Sequence, residues 1–410
     1  MPGFRTLAAG YSINELGNWL GDIALAVLVF DQTGSALATA LLFVGTRFVP
    51  ALVAPAIVAR VEGLPPRASL PLLYGLDAAV FAVLAAIAAG HFSLAAVVVL
   101  GAADGTLALA ARALTRSTSA ALLSPHGLLR RGNAFFNFGF TLAGALGPAI
   151  AGVVTAGAGP STALALDAGS FALVALILGL SRALPASERS EGGWRQRLSD
   201  ALAYVRRRRL LAGLLAAQAV ASLFFYAVVP IEVVYAKETL DAGATGYGWL
   251  LAAWGAGMIL GGIVFAAAQR ARIQGVLALG TLAIGLAYLG LAAAPNLAVA
   301  CAVSAVGGVG NGIQWVSVVN AVQELTPASM QARVLGLLEA IGAALPAIGF
   351  FGGGAIASIA SPRTAYLVAG AGVMATLAVA ALRLRNARWP ARGAVAPEES
   401  AAVPGHGPAA

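Results

Sequence analysis

Asn14, Glu15, Asn18 and Asp22 interrupt a stretch that is otherwise apolar. Positions 14, 18 and 22 share one face of a helix, and 15 lies beside it. A carboxylate in apolar surroundings can load and release protons near neutral pH. Asp22 or Glu15 on a cavity-lining face therefore has the chemistry of a proton carrier. The same stripe also fits a structural network of acids and amides bonded to neighbouring helices, and both readings stand. Arg47 lies in the middle of a second apolar stretch and needs a carboxylate partner there, with Asp22 and Asp104 the candidates. That pair would serve as structure, as a gate or as an anchor for an anionic substrate. Asp104 and Arg112, eight residues apart, share a face. Asp104 is the next proton or substrate candidate, and Arg112 sits where it can reach an interface. Asn133 and Asn137, Asn311 and Gln314, and Glu339 are the remaining polar positions that could line a cavity. Asp77 and Asp167 read as structural, and Trp19, Phe135, Phe136, Phe224, Phe225, Tyr226, Trp254 and Trp315 could stack on an apolar ligand.

The elements that hold these groups are set by composition. Of 410 residues, 60% are hydrophobic and 10% charged, and the mean hydropathy is +0.86. A soluble domain carries about 25% charged residues; this chain could not cover a water-facing surface. The apolar residues fall into twelve blocks, at 10–30, 36–59, 69–90, 93–115, 133–156, 161–180, 210–235, 243–268, 273–294, 297–321, 331–356 and 362–384. Each matches the roughly 20 residues that cross a bilayer. The predicted fold class is an all-α membrane protein of twelve transmembrane helices in two six-helix halves. Many of the 50 glycines lie inside blocks, where a missing side chain lets helices approach closely.

Positive charge supports the count. Arg60 and Arg67 follow block two, Arg116, Arg130 and Arg131 follow block four, and Arg206 to Arg209 close the segment after block six. Arg270 and Arg272 follow block eight, and Arg383 to Arg392 follow block twelve. With twelve crossings all these loops share one side, and positive residues mark the cytoplasmic side. Both termini are therefore expected in the cytoplasm, with the chain in the cell membrane. The net charge of +8 is explained by these loops and implies no nucleic-acid partner.

The longest polar interruption, 181–209, divides the chain into an N-terminal half (1–180) and a C-terminal half (210–385), followed by a tail at 386–410 that reads as disordered. Trp194, Leu198, Leu202 and Val205 lie on one side of a predicted linker helix, which fits the membrane surface or a solvated linker equally. The halves resemble each other weakly: Arg131, Asn137, Gly147 and Gly152 match Arg333, Glu339, Gly349 and Gly354 at one offset.

Three stretches carry a resemblance to the major facilitator superfamily, in the branch of siderophore exporters and macrolide efflux proteins. They are "FRTLAAGYSINELGNWLGDIALAVLVFDQTGS" from Phe4, "RRGNAFFNFGFTLAGALGPAIAG" from Arg130 and "ELTPASMQARVLGLLEA" from Glu324. Asp77 also sits where that branch usually has Asp. The resemblance implies gating or structural roles for Arg60 and Arg67 in the loop after block two, and for Gly147, Pro148 and Gly152 in block five. Two departures stand out. Ala59 precedes Arg60 where the family has Asp, and Ala143 and Ala151 replace expected glycines.

The expected function is secondary active transport, with proton-coupled efflux of a small amphipathic molecule by alternating access. Partners are the small-molecule substrate, protons and the lipid bilayer, and the resemblance implies a monomer. An uptake transporter, or a sensor or scaffold that moves nothing, are the other readings; intramembrane carboxylates argue against a scaffold. An enzyme is not expected. The single cysteine and three scattered histidines build no nucleophile or metal site, and no cofactor is implied. Gly307 to Gly312 reads "GGVGNG" but follows no strand, so it is not a nucleotide loop.

Overall fold

The structure is a computed structural model. It describes all residues except 1, 62–64, 124, 125, 127, 182–193, 269, 270, 328, 329, 331, 332, 336, 339, 340, 343, 344, 386, 388 and 390–410. The predicted disordered tail lies almost wholly outside the described residues.

Backbone groups in a bilayer have no water to bond, so a spanning segment must satisfy its own hydrogen bonds as a helix. Among the described residues there is no strand. The N-terminal half runs α1 (Pro2–Thr33), α2 (Ala36–Phe43, Val44–Phe48 and Val49–Val61), α3 (Pro66–Ala89), α4 (Leu94–Leu123), α5 (Leu129–Ala158) and α6 (Pro160–Gly179). The linker helix is α7 (Trp194–Arg206). The C-terminal half runs α8 (Arg209–Thr239), α9 (Gly243–Ala267), α10 (Ile273–Ala293), α11 (Leu297–Glu324), α12 (Pro346–Ile359) and α13 (Pro362–Leu384). Eleven of these are long and apolar enough to cross a membrane. The twelfth, α12, is described as a shorter apolar helix, because block eleven carries several undescribed residues before Pro346.

Local chemistry sets the helix starts. Ser35, Asn296 and Ser361 each accept a first-turn N–H, at 3.2, 3.0 and 3.1 Å. Pro66, Pro160, Pro346 and Pro362 open their helices, where a missing N–H costs nothing. Gly159, at φ +84°, turns α5 into α6 in one residue.

The halves repeat one packing plan. Helix α3 lies on α6 as α10 lies on α13; α3 lies on α4 as α10 lies on α11; α1 lies on α5 and α6 as α8 lies on α12 and α13. Large apolar side chains point outward: Ile359 is 87% and Leu180 73% exposed. In a polytopic membrane protein these meet lipid.

The close contacts between halves fall away from the arginine-rich loops. Gly152 of α5 meets Gly248 of α9, Gly354 of α12 meets Ala36 and Ala40 of α2, and Phe43 lies 5.6 Å from Phe350. Lys237 pairs with Asp31 across the same end. At the arginine-rich end, the described packing stays within one half. Phe4, Tyr11, Phe135 and Phe136 cluster in the N-terminal half, while α7 packs on the C-terminal half.

That packing changes the picture of the linker. The inner face of α7, Ala201, Tyr204 and Val205, is buried against Leu211, Leu214, Val318 and Val334. This face lies on protein, while Leu202 beside it is exposed. Burial pushes the Tyr204 hydroxyl pKa up, and the Arg208 guanidinium, 4.5 Å over its ring, opposes that.

Candidate functional site

Near the middle of the bundle α2 gives up α-helical winding for a π turn, Val44–Phe48. Pro50 is the cause on one side: it has no N–H to offer the Thr46 carbonyl one turn back. Gly105 of α4 is the cause on the other. A Cβ there would meet that same Thr46 oxygen and come within 2.7 Å of Pro50 Cγ, so only glycine lets α4 sit against the opened turn. The wider turn carries Arg47, which pairs with Asp22 of α1. Asp104, beside Gly105, adds a second carboxylate within electrostatic reach, as does the Tyr247 hydroxyl of α9.

Exposure decides what this cluster is. The Arg47 side chain is 48% and that of Asp22 31% accessible to water, about 16 Å inside their helices at 1.5 Å per residue. Asp22 and Arg47 come from helices that face the C-terminal half, and Tyr247 belongs to that half. The pair is therefore exposed toward the C-terminal half and not sealed within its own. Of the two sequence candidates for Arg47's partner, Asp22 makes the pair.

Glu15 sits elsewhere. It is 3% exposed and faces Arg112 of α4 at 3.2 Å, with Tyr11 and Arg116 near. Asn14 is buried as well, and Asn18 is half-buried. The stripe on α1 thus splits: its deeper end, Asp22, opens toward the C-terminal half, and its start is packed between α1 and α4. Arg112 finds Glu15, not Asp104.

Asp77 and Asp167 are fully buried. Asp167 takes the Ser170 hydroxyl at 3.1 Å and fills the notches left by Gly17 and Gly21. Gly147 accommodates the Trp19 ring, and Pro148 and Gly152 meet Gly248. Arg67 is exposed in the first turn of α3. The side chains of Arg60, Asn133 and Asn137 and the whole of Glu339 lie outside the described residues.

On the other half, Gln314 of α11 is buried and donates to Gln218 of α8 at 2.5 Å, which donates to Ser222 at 3.2 Å. Gln218 and Gln314 line a cavity of about 280 Å³ within the C-terminal half, with Gln274, Thr281, Arg385 and Trp389 around it. Asn311, half-buried, is not among its lining residues. Sequence reading missed Gln218, since no polar stripe marks its helix. It also missed Glu232, a half-buried acid in the same helix. Pro230, two residues earlier, was the available signal that this helix breaks there. No group of three metal-ligating side chains occurs among the described residues.

No curated protein matches the chain by sequence. Among solved structures it is similar to the nucleoside transporter NupG, at 14% identity and a TM-score of 0.72, over 94% of this chain and 100% of that one. It is similar to a bacterial homologue of the iron transporter ferroportin in an inward-facing state, at 14% and 0.72, over 93% and 98%. A D-xylose-proton symporter matches at 17% and 0.64, over 91% and 96%. These likenesses show the major facilitator fold. A family model described as transmembrane secretion effector matches residues 2–403. The chain is a multi-pass membrane transporter and belongs to that family of the major facilitator superfamily.

Proposed function

We propose that this chain is a proton-coupled exporter of a small amphipathic molecule, working by alternating access in the cytoplasmic membrane. The observation that carries the reading is the water-accessible Asp22–Arg47 pair at mid-bundle, with Asp104 beside it. A scaffold gains nothing from ionised groups at this depth, which cost several kcal/mol to place. A proton on Asp22 dissolves its pairing with Arg47. The guanidinium then turns to Asp104, which changes the charge that the N-terminal half presents to Tyr247 of the other half. The family's description as secretion effectors favours export.

The arginine distribution supports a cytoplasmic position for both termini. In that orientation the halves meet at the outer end and the cavity faces the cytoplasm, the side from which an exporter loads. Residues 1–180 and 210–385 act as the two rocking bodies and 181–209 as their tether. One chain holds the whole cavity, so a monomer suffices.

The test uses the full chain in liposomes holding a pH-sensitive dye, challenged with siderophores, macrolides and other amphipathic compounds. Compound-dependent proton movement is expected in the parent and is lost in Asp22→Asn. Movement that survives the substitution removes Asp22 from the coupling step. A parent that moves no protons with any compound removes proton coupling.

A further inference from the structure

Helix α8 changes winding three times around one acid. It leaves α geometry at Val228, passes through a 3-10 turn at Val229–Ile231 and a single α turn at Glu232–Val234, and ends in a π turn at Tyr235–Thr239. Pro230 is the local cause, because it has no N–H to continue the ladder. Glu232 stands about 10 Å from the end of its helix at 1.5 Å per residue, deep enough to be shielded from bulk water. Among the described residues no ion pair or hydrogen bond engages it. An ionised carboxylate cannot stay that way at membrane depth. Something positive must meet it, a proton or a ligand.

The surroundings select the kind of ligand. Tyr247 feels the charge of Glu232 and also those of Asp22 and Arg47, so it lies between the acid of one half and the ion pair of the other. Among the described residues, Tyr247 feels Asp22 and Glu232 against one cation, Arg47, which is already paired and has Asp104 within reach; Arg363, beyond Tyr235, is bonded to the Ala292 and Ala294 carbonyls. Lys237, on the same helix as Glu232, is committed to Asp31. The site carries net negative charge and repels an anion. Its walls are aromatic. Phe225 stands two turns from Glu232 on α8 and lies 6.1 Å from Trp254 of α9; both are half-buried, so ligand can reach them. Trp254 stacks on buried Tyr288 at 5.7 Å and 12°. Tyr288 and Tyr366 sit within electrostatic reach of Glu232. A carboxylate beside ring faces is the recognition chemistry of an organic cation.

We propose that Glu232 is the substrate-reading carboxylate of the C-terminal half, which pairs with the positive centre of an amphipathic organic cation whose apolar body lies on Phe225 and Trp254. The proposal rests on the transport reading above and names its substrate class. The exchange balances: the carboxylate releases one proton as one monovalent cation arrives, and regains one as the cation leaves.

Tetraphenylphosphonium and tetraphenylborate, nearly equal in shape and opposite in charge, serve as probes. Binding to the full chain in detergent is read from Trp254 fluorescence, with Trp254→Phe identifying its share of the signal. The phosphonium is expected to bind and the borate not. Glu232→Gln should weaken the phosphonium by about tenfold or more, the scale of losing a charged partner in a dry site, and Glu232→Asp should restore part of it. Lowering the pH should weaken binding to the parent by more than it weakens binding to Glu232→Gln. The charged and titratable groups around Glu232 and its neighbours are Asp22, Arg47, Asp104, Tyr235, Tyr247, Tyr288, Tyr366, Arg363 and Lys237, and all are present in both proteins. Equal binding of the borate, no phosphonium binding by the parent, or undiminished binding by folded Glu232→Gln each overturns the proposal. If Glu232→Gln does not fold, Glu232→Asp and the charge comparison in the parent decide it. Glu232-dependent binding without proton movement in liposomes keeps this proposal and removes the proton-coupled reading; proton-driven movement of the phosphonium by Glu232→Gln does the reverse.

Discussion

Alternating access requires that the contact between halves at one end be breakable, and Gly152 marks where to test it. A Cβ added there would lie 2.8 Å from the Ala244 carbonyl oxygen and 2.8 Å from Gly248 Cα. That is about 0.6 Å short of the 3.4 Å at which ordinary contact begins. Both obstacles are backbone on the opposite half, so neither can swing aside as a side chain would. Gly152→Ala therefore penalises only the state in which this end is closed, by about 1–3 kcal/mol for an overpacked contact. The open state carries no such contact, and the equilibrium should move toward it by roughly 5- to 150-fold. A closed:open ratio of about 99:1 would become roughly 95:5 to 40:60. Spin labels at Gly157, whose missing Cβ faces open space, and at Ile359, 87% exposed, report the separation of the halves at this end. The native Cys301 is replaced by Ser in the parent. Double electron–electron resonance should show a longer-distance population growing in Gly152→Ala. A folded Gly152→Ala protein whose distances superpose on the parent's would refute the reasoning.

Gly105→Ala is the internal control: its obstacles, the Thr46 carbonyl and Pro50, lie in the same half, so it should lower the thermal midpoint in detergent, by about 1–3 kcal/mol of stability, without moving the Gly157–Ile359 distance. Arg112→Ala should cost more than Glu15→Gln, because it strands a carboxylate that is 4% exposed, at about 3 kcal/mol, whereas the Arg112 side chain is 35% exposed and can turn to water; thermal midpoints of both variants check the order. Tyr204→Ala removes a buried side chain from the face by which α7 grips the C-terminal half, at a cost of about 3 kcal/mol. Limited proteolysis should then cut within 194–206 at least tenfold faster than in the parent.

Which features the sequence disclosed, and which it hid, follows one physical rule. Hydropathy is a one-body property: each residue's preference for lipid or water adds along a segment. Twelve blocks and their arginine-marked ends could thus be read from composition alone, without knowing what any helix touches. Site chemistry is a two-body property. Glu15 and Asp22 carry the same charge on adjoining faces of α1, yet one is packed against Arg112 and the other opens to water beside Arg47. No spacing on α1 separates them, because the separating fact is on other helices: Gly105 on α4 and Pro50 on α2, which together wind Arg47 toward the cavity. Among the described residues, the two π turns, Val44–Phe48 and Tyr235–Thr239, each carry the cation of an ion pair, Arg47 and Lys237. A π turn widens the helix and shifts the side chains after it off the regular register. A helical wheel drawn with 3.6 residues per turn therefore misplaces residues near such turns. Glu232 was missed for that reason. It is flanked by a 3-10 turn and a π turn, and no polar residue stands one turn away to make a stripe with it. Proline inside an apolar block, with an ionisable group within three residues on either side, is the pattern that both Pro50 with Arg47 behind it and Pro230 with Glu232 ahead of it share. Where the ladder is already broken, a polar side chain costs the helix least, and a transporter can place there the charge it needs to use.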